Sequence, residues 1–382
     1  MTETTNRGAS RSSSAPRSGL VLAARGDALV PHLFDALARR YPIHGRIDPE
    51  LTPPQRLAVA AASLRPSRTR WVEQFYKSHH GYRLRTANAT RQLTELSNPP
   101  APTPPVFQVH ALFEVTGAPS VLYVDCTHAQ SAAQWPAWNP LRDKALERWY
   151  RREAQAYRNA VHIFAFSWQT RDSLLHDYGV SPARISVVGA GVNLRSLPSV
   201  RSLIPGPDAA VPTVLFIGND FARKGGPTLL KAFRRVREQL PSARLQLVGT
   251  EPGITPEPGV DVLGRIHNRA MVAQLYRQAS VFCLPSFFDP FPLVLLEAMA
   301  HSVPVVTTAS CGIPDMIRDG HTGRLVPAGD PSAIADALLD LLSNPLRARL
   351  LGATGRQHVA GHYTWDHVVD RMAPVLDQLV SP

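Results

Sequence analysis

The sequence predicts an α/β protein built from two open, mostly parallel sheets that face each other across a cleft. Three observations carry this expectation. A chain of 382 residues is too long for one ordinary core and suits two domains of roughly 150–200 residues each. Along most of it, short apolar runs alternate with segments of helical spacing, as in strands joined by crossover helices. Between the halves, Leu197–Pro212 holds four prolines, a glycine and no periodicity, and reads as the linker.

Residues 1–18 are rich in Ser, Thr and Arg, lack the apolar stretch of a secretory signal, and read as a disordered tail. The first domain, 19–196, opens with GLVLAAR (Gly19–Arg25) as a buried strand. A helix over Leu29–Leu37 follows, then one after Pro53–Pro54 and a longer one from about Arg68 to Leu96 with a break at Gly81. PPAPTPP (Pro99–Pro105) is a stiff extended connector. Strands end at His110 and Asp125. The charged stretch Leu141–Arg158 is helical, and Val161–Phe166, a helix to Tyr178, and Arg184–Val188 complete the domain.

From Thr213 the alternation is regular. Strands at Val214–Ile217, Arg244–Val248, Val260–Leu263, Val281–Leu284 and Val303–Thr307 are separated by helices at Pro227–Leu240, Arg269–Ala279 and Leu293–Ala300. This gives a second domain over 213–362. A closing helix in 363–382 is expected to cross back to the first.

Composition narrows the function classes. A hydrophobic fraction of 44% supports a sizeable core, and no apolar run is long enough for a spanning helix. Cys126, Cys283 and Cys311 have neither metal-ligand nor redox spacing; they fit a reducing compartment and core positions. With 41 Lys plus Arg against 30 Asp plus Glu, the net charge of +11 favours anionic partners. Basic residues are spread along the chain without zinc-finger spacing or an RNA-binding aromatic motif, which argues against nucleic acid.

In open α/β sheets, ligands bind beyond the carboxyl ends of the strands, and four segments there carry chemistry. In FIGNDFARKGG (Phe216–Gly226) a strand ends at Gly218, a loop brings Asn219, Arg223 and Lys224, and a helix begins. Glycines allow close backbone approach to a phosphate, and a helix N-terminus adds partial positive charge. In LPSFFDPFPLVLLEAMA (Leu284–Ala300) Pro292 suits the first turn of a helix, leaving the amides of Leu293 and Val294 free for an anion. Glu297 lies one turn in, where its carboxylate would accept ribose hydroxyls, and Asp289 precedes the helix. TTASCGIPDMIRDGHTGRLVPAGDP (Thr307–Pro331) has turns at Asp319–Gly320 and Thr322–Gly323 and suits a loop closing one side of a pocket. VDVLGRIHN (Val260–Asn268) ends a strand at Gly264, so backbone at Arg265 and Ile266 would meet a nucleobase edge. Each piece also has a plain structural reading: a solvated basic loop, a turn residue, a helix-surface charge.

The ordered set resembles the carboxyl-terminal domain of family 4 retaining glycosyltransferases, of the GT-B fold, over about Val211–Trp365. Weaker similarity reaches back through Val121–Leu194, including SWQTRDSLLHDYGV and the GAGVN turn. The resemblance implies two Rossmann-like domains and transfer of a sugar, with retention, from a nucleotide diphosphate such as a UDP- or GDP-linked sugar. It implies no metal and no other cofactor. It assigns Lys224 to the diphosphate, Glu297 to the ribose and Asp289 to the transferred sugar, where the family has Glu. Gly218, Asn219, Arg223, Arg265, Ile266, Phe291, Pro292, Leu293 and Val294 complete the donor set. Three positions depart from the pattern: Asn219 replaces a phosphate-binding Arg, Pro292 a Gly, and Ser302 a Gly.

On the acceptor side the resemblance implies a His at a strand end. His128 with Asp125 is favoured over His110, and Gly26–Asp27 stands where a Gly-rich turn is usual. Lys224 and the helix N-terminus would stabilise the leaving diphosphate. Same-face attack is preferred to a covalent intermediate on Asp289. Between Arg56 and Arg91 lie eight bases against Glu73 alone, with Trp71, Phe75 and Tyr82 among them on roughly one helical face. This segment reads first as a helix with an aromatic core stripe, and second as a surface resting on anionic lipid. The expected place is the cytoplasm, with peripheral contact at the inner membrane face, and the expected acceptor is a glycan, a lipid-linked glycan or a small molecule. A catalytically impaired sugar-nucleotide-binding protein of the same fold is the alternative.

Overall fold

The structure is a computed structural model that describes residues 19–96, 103–139, 141–199, 211–250, 253 and 257–381. The expected tail, most of the expected linker and the start of the PPAPTPP connector lie outside the described residues.

In the first half, strand β1 (Leu20–Ala23) is followed by α1 (Val30–Arg40), β2 (Ile43–Ile47), α2 (Pro53–Ala62), α3 (Arg68–Lys77), α4 (His79–Leu96) and β3 (Val106–Val109). Strand β4 (Ser120–Val124), α5 (His128–Gln134), α6 (Asp143–Asn159), β5 (His162–Ala165), α7 (Trp168–His176) and β6 (Ile185–Val187) complete it. The second half runs β7 (Thr213–Ile217), α8 (Gly226–Gln239), β8 (Arg244–Val248), β9 (Val260–Gly264), α9 (Arg269–Gln278), β10 (Val281–Leu284) and α10 (Leu293–Ala300). After these come β11 (Val305–Thr308), α11 (Ile313–Met316), β12 (Arg324–Val326), α12 (Pro331–Ser343), α13 (Pro345–His362) and α14 (Trp365–Val380).

Both sheets have six strands and every named pairing is parallel, with orders β2-β1-β3-β4-β5-β6 and β12-β11-β10-β7-β8-β9. The central strands β1, β3, β5, β10 and β11 are buried at every residue, and β1 and β10 are accordingly continuous apolar runs. Each order reverses once, between β1 and β3 in the first sheet and between β7 and β10 in the second. At such a switch point the two crossovers leave in opposite directions and open a crevice beyond the strand ends. The two crevices are therefore fixed by topology before any side chain is considered.

Helix α14 joins the halves by packing on α1. Arg40 pairs with Asp370 at 2.6 Å, Arg39 with Asp366 at 2.5 Å, and the Tyr41 hydroxyl donates to Asp377 at 2.9 Å. Trp365 at its start lies so close to Gly191 that a Cβ there would sit 2.5 Å from the indole. Among the described residues no helix is long and apolar enough to cross a membrane.

Several expectations are revised. The long helix of 68–96 breaks at Ser78, not Gly81. Ser78 is extended, with φ −71° and ψ 144°, its hydroxyl accepts the Gly81 amide at 3.0 Å and donates to the Phe75 carbonyl, and a serine cap so placed starts a new helix. The basic residues consequently do not share one face. Arg85 is fully buried over the rings of Phe75 and Tyr76, and Lys77 turns inward to the Trp138 carbonyl at 2.6 Å. Pro292 is the N-cap of α10 rather than its first residue. Strands β2 and β12 and helices α12 and α13 occupy stretches in which the sequence reading places no such element. Cys283 is a core residue, whereas Cys126 and Cys311 are half-buried at the cleft.

Ser302 explains its own departure. It takes a left-handed conformation, φ +58°, after α10. Its amide donates to Met299 and that of Val303 to Ala298, a Schellman ending that glycine adopts more easily than serine.

Candidate active site

The second crevice holds the charged residues of the glycine-rich loop. Strand β7 ends at Ile217 and the chain turns at Gly218, where a Cβ would lie 2.4 Å from the Cδ of Lys224. Gly218 thus leaves room for the lysine stem. Gly225, at φ +77°, packs against the Pro285 carbonyl so closely that a Cβ would come within 1.9 Å of its oxygen. The loop and the end of β10 are therefore in backbone contact, and two switch-point strands deliver their side chains to one place.

There Lys224 Nζ meets Asp289 Oδ2 at 2.6 Å, and Arg223 approaches the same oxygen at 3.8 Å. Arg223 also donates to the Phe288 carbonyl at 2.6 Å and pairs with Asp220 at 3.2 Å. All three central side chains are largely buried, at 6%, 11% and 11% exposure for Arg223, Lys224 and Asp289. Lys224 and Arg223 both approach Asp289, and Asp220 is the second partner of Arg223, so two cations and two carboxylates are gathered at this strand end.

Beyond Asp289, Pro292 caps α10, and the amides of Leu293 and Val294 make no hydrogen bond among the described residues. Glu297 is one turn inside. Arg269 donates to one of its oxygens at 3.3 Å and the Tyr276 hydroxyl to the other at 3.3 Å. Burial pushes its carboxyl pKa up, with Arg269 opposing. Phe291 sits edge-on to Phe166 of the first domain, 5.8 Å between centroids. Asn219 and Arg265, with Gly249 and Thr250, line a cavity of about 430 Å³ at the ends of β7, β8 and β9. Arg265 and Ile266 also line a larger one of about 590 Å³ together with Gln246 and Asn268. Arg265 is exposed and makes no ion pair among the described residues. The structure thus brings Arg223, Lys224 and Asp289 into contact, with Glu297, Asn219 and Arg265 placed separately around them.

The first crevice is a cavity of about 320 Å³. It holds Asp125 and His128, and two residues less prominent in the sequence. His110 bridges Asp27 and Asp125, with Nε2 3.4 Å from Asp27 and Nδ1 3.2 Å from Asp125. These residues follow β1, β3 and β4, the three strands at the switch point. The two carboxylates hold the imidazole proton so firmly that its pKa is raised to about 10 despite burial, and the His110 contact lowers that of Asp27. His110 is therefore an imidazolium at neutral pH. It sits at φ +61°, and Gln108 holds the turn by donating to the carbonyls of His110 and Phe113.

His128 behaves differently. It is 4% exposed, its Nε2 is 3.0 Å from Asn139, and its ring lies edge-on to Trp149 and Tyr150. Burial, reinforced by Lys77, brings its pKa down to about 3, so it is a neutral wall residue. His110 is the histidine that carries charge between strand ends, although the sequence favours His128. Below them, Glu153 accepts from Tyr178, Tyr157 and the His128 amide, and burial raises its carboxyl to about 7.

Trp138 connects the crevices. Its ring lines the first cavity, lies 4.5 Å under the Arg223 guanidinium and meets Phe288 edge-on at 5.4 Å. Further contacts cross the cleft: the Trp168 amide donates to Asp315 at 2.8 Å, and the Cys311 thiol to Gln134 at 3.2 Å. Trp138 and Arg269 escaped the sequence reading, which named Asp27 only as part of the Gly26–Asp27 turn. The Pro/Trp cluster QWPAWNP was the available signal for the first.

Comparison with known proteins places this geometry. The family model "Glycosyl transferases group 1" matches residues 211–344 and "Glycosyltransferase Family 4" matches 60–196. The D-inositol 3-phosphate glycosyltransferase of Streptomyces coelicolor is 30% identical over 260 residues, 58% of this chain and 56% of that protein, so the chain spans little more than half of that relative. The alpha-maltose-1-phosphate synthase of Mycolicibacterium smegmatis is 28% identical over 339 residues, 78% of this chain and 85% of that one. Among solved structures, sucrose-phosphate synthase from Thermosynechococcus elongatus superposes with a TM-score of 0.67 at 19% identity, covering 94% of this chain and 99% of that one. Its likeness shows the fold, GT-B.

Proposed function

Because the chain belongs to the family 4 glycosyltransferases, we propose that it transfers a sugar from a nucleotide diphosphate, UDP- or GDP-linked, to an acceptor hydroxyl. The observation that carries the reading is the buried Arg223–Lys224–Asp289 cluster at the switch point of the second sheet. Lys224, Arg223 and a helix N-terminus lie together there beside Asp289, the arrangement a diphosphate and its sugar would complete.

In this reading the nucleobase lies against Arg265 and Ile266, and Glu297 accepts the ribose hydroxyls. Lys224, Arg223 and the amides of Leu293 and Val294 hold the diphosphate, and Asp289 turns to the sugar's hydroxyls. The acceptor oxygen bonds to the anomeric carbon while the bond to the diphosphate oxygen breaks. The electron pair leaves with the diphosphate, which also takes the hydroxyl proton on the same face, so configuration is retained. Positive charge on the chain replaces a divalent metal. Incubation with labelled nucleotide sugars and candidate acceptors tests this: transfer with retained configuration by NMR, undiminished by EDTA, is expected. Inverted product or a metal requirement overturns those parts, and no transfer with any donor favours the impaired-binder reading.

Glu297 makes the donor affinity depend on pH. Its carboxylate accepts from ribose more strongly than the neutral acid does, and burial raises its pKa. Nucleotide affinity should therefore fall on acidification, beginning above the pH at which an ordinary carboxyl titrates. Glu297→Gln should bind about 10–100-fold more weakly at pH 8, the worth of a hydrogen bond to a charged group, and show little of this pH dependence. Titration calorimetry between pH 5 and 8 measures both.

Membrane contact fits the α2–α3 region, where Leu57, Leu64 and Val72 are 74%, 63% and 41% exposed. Arg56, Arg65, Arg68 and Arg70 around them have no ion pair among the described residues. Apolar side chains ringed by arginines suit an anionic headgroup layer at the cytoplasmic face. Co-sedimentation with anionic vesicles, lost on Arg65→Glu/Arg68→Glu and absent with zwitterionic ones, is the expected result.

A further inference from the structure

We propose that the cavity at the first switch point seats an uncharged polyhydroxylated ring and disfavours one bearing a phosphate. This rests on the transferase reading and names the acceptor class of that site.

The charges of the wall support it. Among the described residues, each cation of this wall already has a carboxylate partner. Arg25 pairs with Glu50 at 2.8 Å and covers the Tyr76 ring at 4.5 Å. Lys77 pairs with Glu73 at 3.2 Å and donates to the Trp138 carbonyl at 2.6 Å. His110 is held between Asp27 and Asp125. The carboxylates are not all spent. Asp27 and Asp125 keep 42% and 37% side-chain exposure, and a carboxylate has more acceptor sites than one imidazolium occupies. The lining also includes Glu73, paired with Lys77, and Glu153, which accepts from Tyr178, Tyr157 and the His128 amide. What the cavity offers a ligand is hydrogen-bond acceptors, fixed in place by His110.

A hydroxyl donates to a carboxylate, so two or more hydroxyls on one ring find partners on Asp27 and Asp125. A phosphate donates nothing when ionised. It would stand beside carboxylates of like charge, and the lining cations Arg25, Lys77 and His110 are already neutralised by carboxylates. The donor crevice differs: Arg223 and Lys224 both approach Asp289, and the amides of Leu293 and Val294, free among the described residues, lie beyond it. The two crevices are thus sorted by charge, diphosphate to one and polyol to the other. His110 is a positioning residue here. Its two bonds hold the carboxylates on either side of the imidazole.

Saturation-transfer NMR on the full chain saturated with nucleotide diphosphate tests the proposal. The probes are methyl α-D-glucopyranoside, methyl α-D-mannopyranoside and myo-inositol, against D-inositol 3-phosphate and glucose 1-phosphate. At least one uncharged probe should bind ten-fold or more tightly than its phosphorylated counterpart. Asp27→Asn should weaken it ten-fold or more, while the nucleotide-induced rise in melting temperature shows the variant folded. His110→Gln should raise the acceptor KM far more than it changes the donor KM. Equal or tighter binding of the phosphorylated probes, or no binding of any uncharged one, overturns the proposal. A chain that binds no nucleotide would instead fail the transferase reading, through the separate melting measurement.

Discussion

Lys224→Met should lower kcat/KM for transfer by about 100- to 1000-fold, the usual cost of removing one preorganised group that stabilises developing negative charge. Methionine keeps the stem that Gly218 makes room for, so packing is largely preserved and the loss is electrostatic. Arg223 stays, but it lies 3.8 Å from Asp289 against 2.6 Å for Lys224 and is committed to Phe288 and Asp220. It should not substitute. A steady-state comparison with the wild type, with folding checked by melting temperature, measures the effect. A loss of less than ten-fold would move the diphosphate away from this loop.

Asp289→Asn should divide binding from turnover. Its carboxylate is the counter-ion of Lys224, so removing its charge leaves that ammonium buried without one, while Arg223 keeps Asp220. Breaking a buried pair in this way costs about 3–5 kcal/mol, and the melting temperature without ligand should fall accordingly. A nucleotide diphosphate supplies the missing negative charge, so its stabilising effect should be larger in the variant, and its affinity equal or higher. Transfer should nevertheless drop by about 100-fold or more, because the group facing the sugar is gone. Weaker nucleotide binding together with an unchanged turnover rate would show that Asp289 touches the diphosphate and not the sugar.

Much of the second domain was legible because its crevice is built where local rules are strongest. Gly218, Gly225, Pro292 and Glu297 lie at strand ends and helix starts, positions that turn chemistry and capping mark in a sequence. Central strands such as β1 and β10 were legible because burial on both faces makes them uninterrupted apolar runs. The edge strands were not. In β2, IHGRI alternates apolar with polar residues, and in β12 only three residues pair, too few to separate from a loop by period. The acceptor side was harder still. Asp27, His110 and Asp125 are almost a hundred positions apart at the extremes, and only the order β2-β1-β3-β4 sets them side by side. His128 was preferred because it follows a strand-end Asp, but its place at the first turn of α5 directs it into the wall against Trp149 and Tyr150. The break at Ser78 and the burial of Arg85 likewise depend on tertiary packing that helical periodicity does not encode.

The central claim is that the Lys224–Glu297 crevice binds a nucleotide diphosphate. Thermal unfolding of the full chain with UDP, GDP, ADP and their common sugar conjugates tests it most directly. A ligand at about 100 times its dissociation constant should add roughly 2.7 kcal/mol of stability. One base should therefore raise the melting temperature clearly, and Glu297→Ala or Lys224→Ala should abolish the rise. No shift with any nucleotide, or a shift that survives both substitutions, would contradict the assignment of this crevice to the donor.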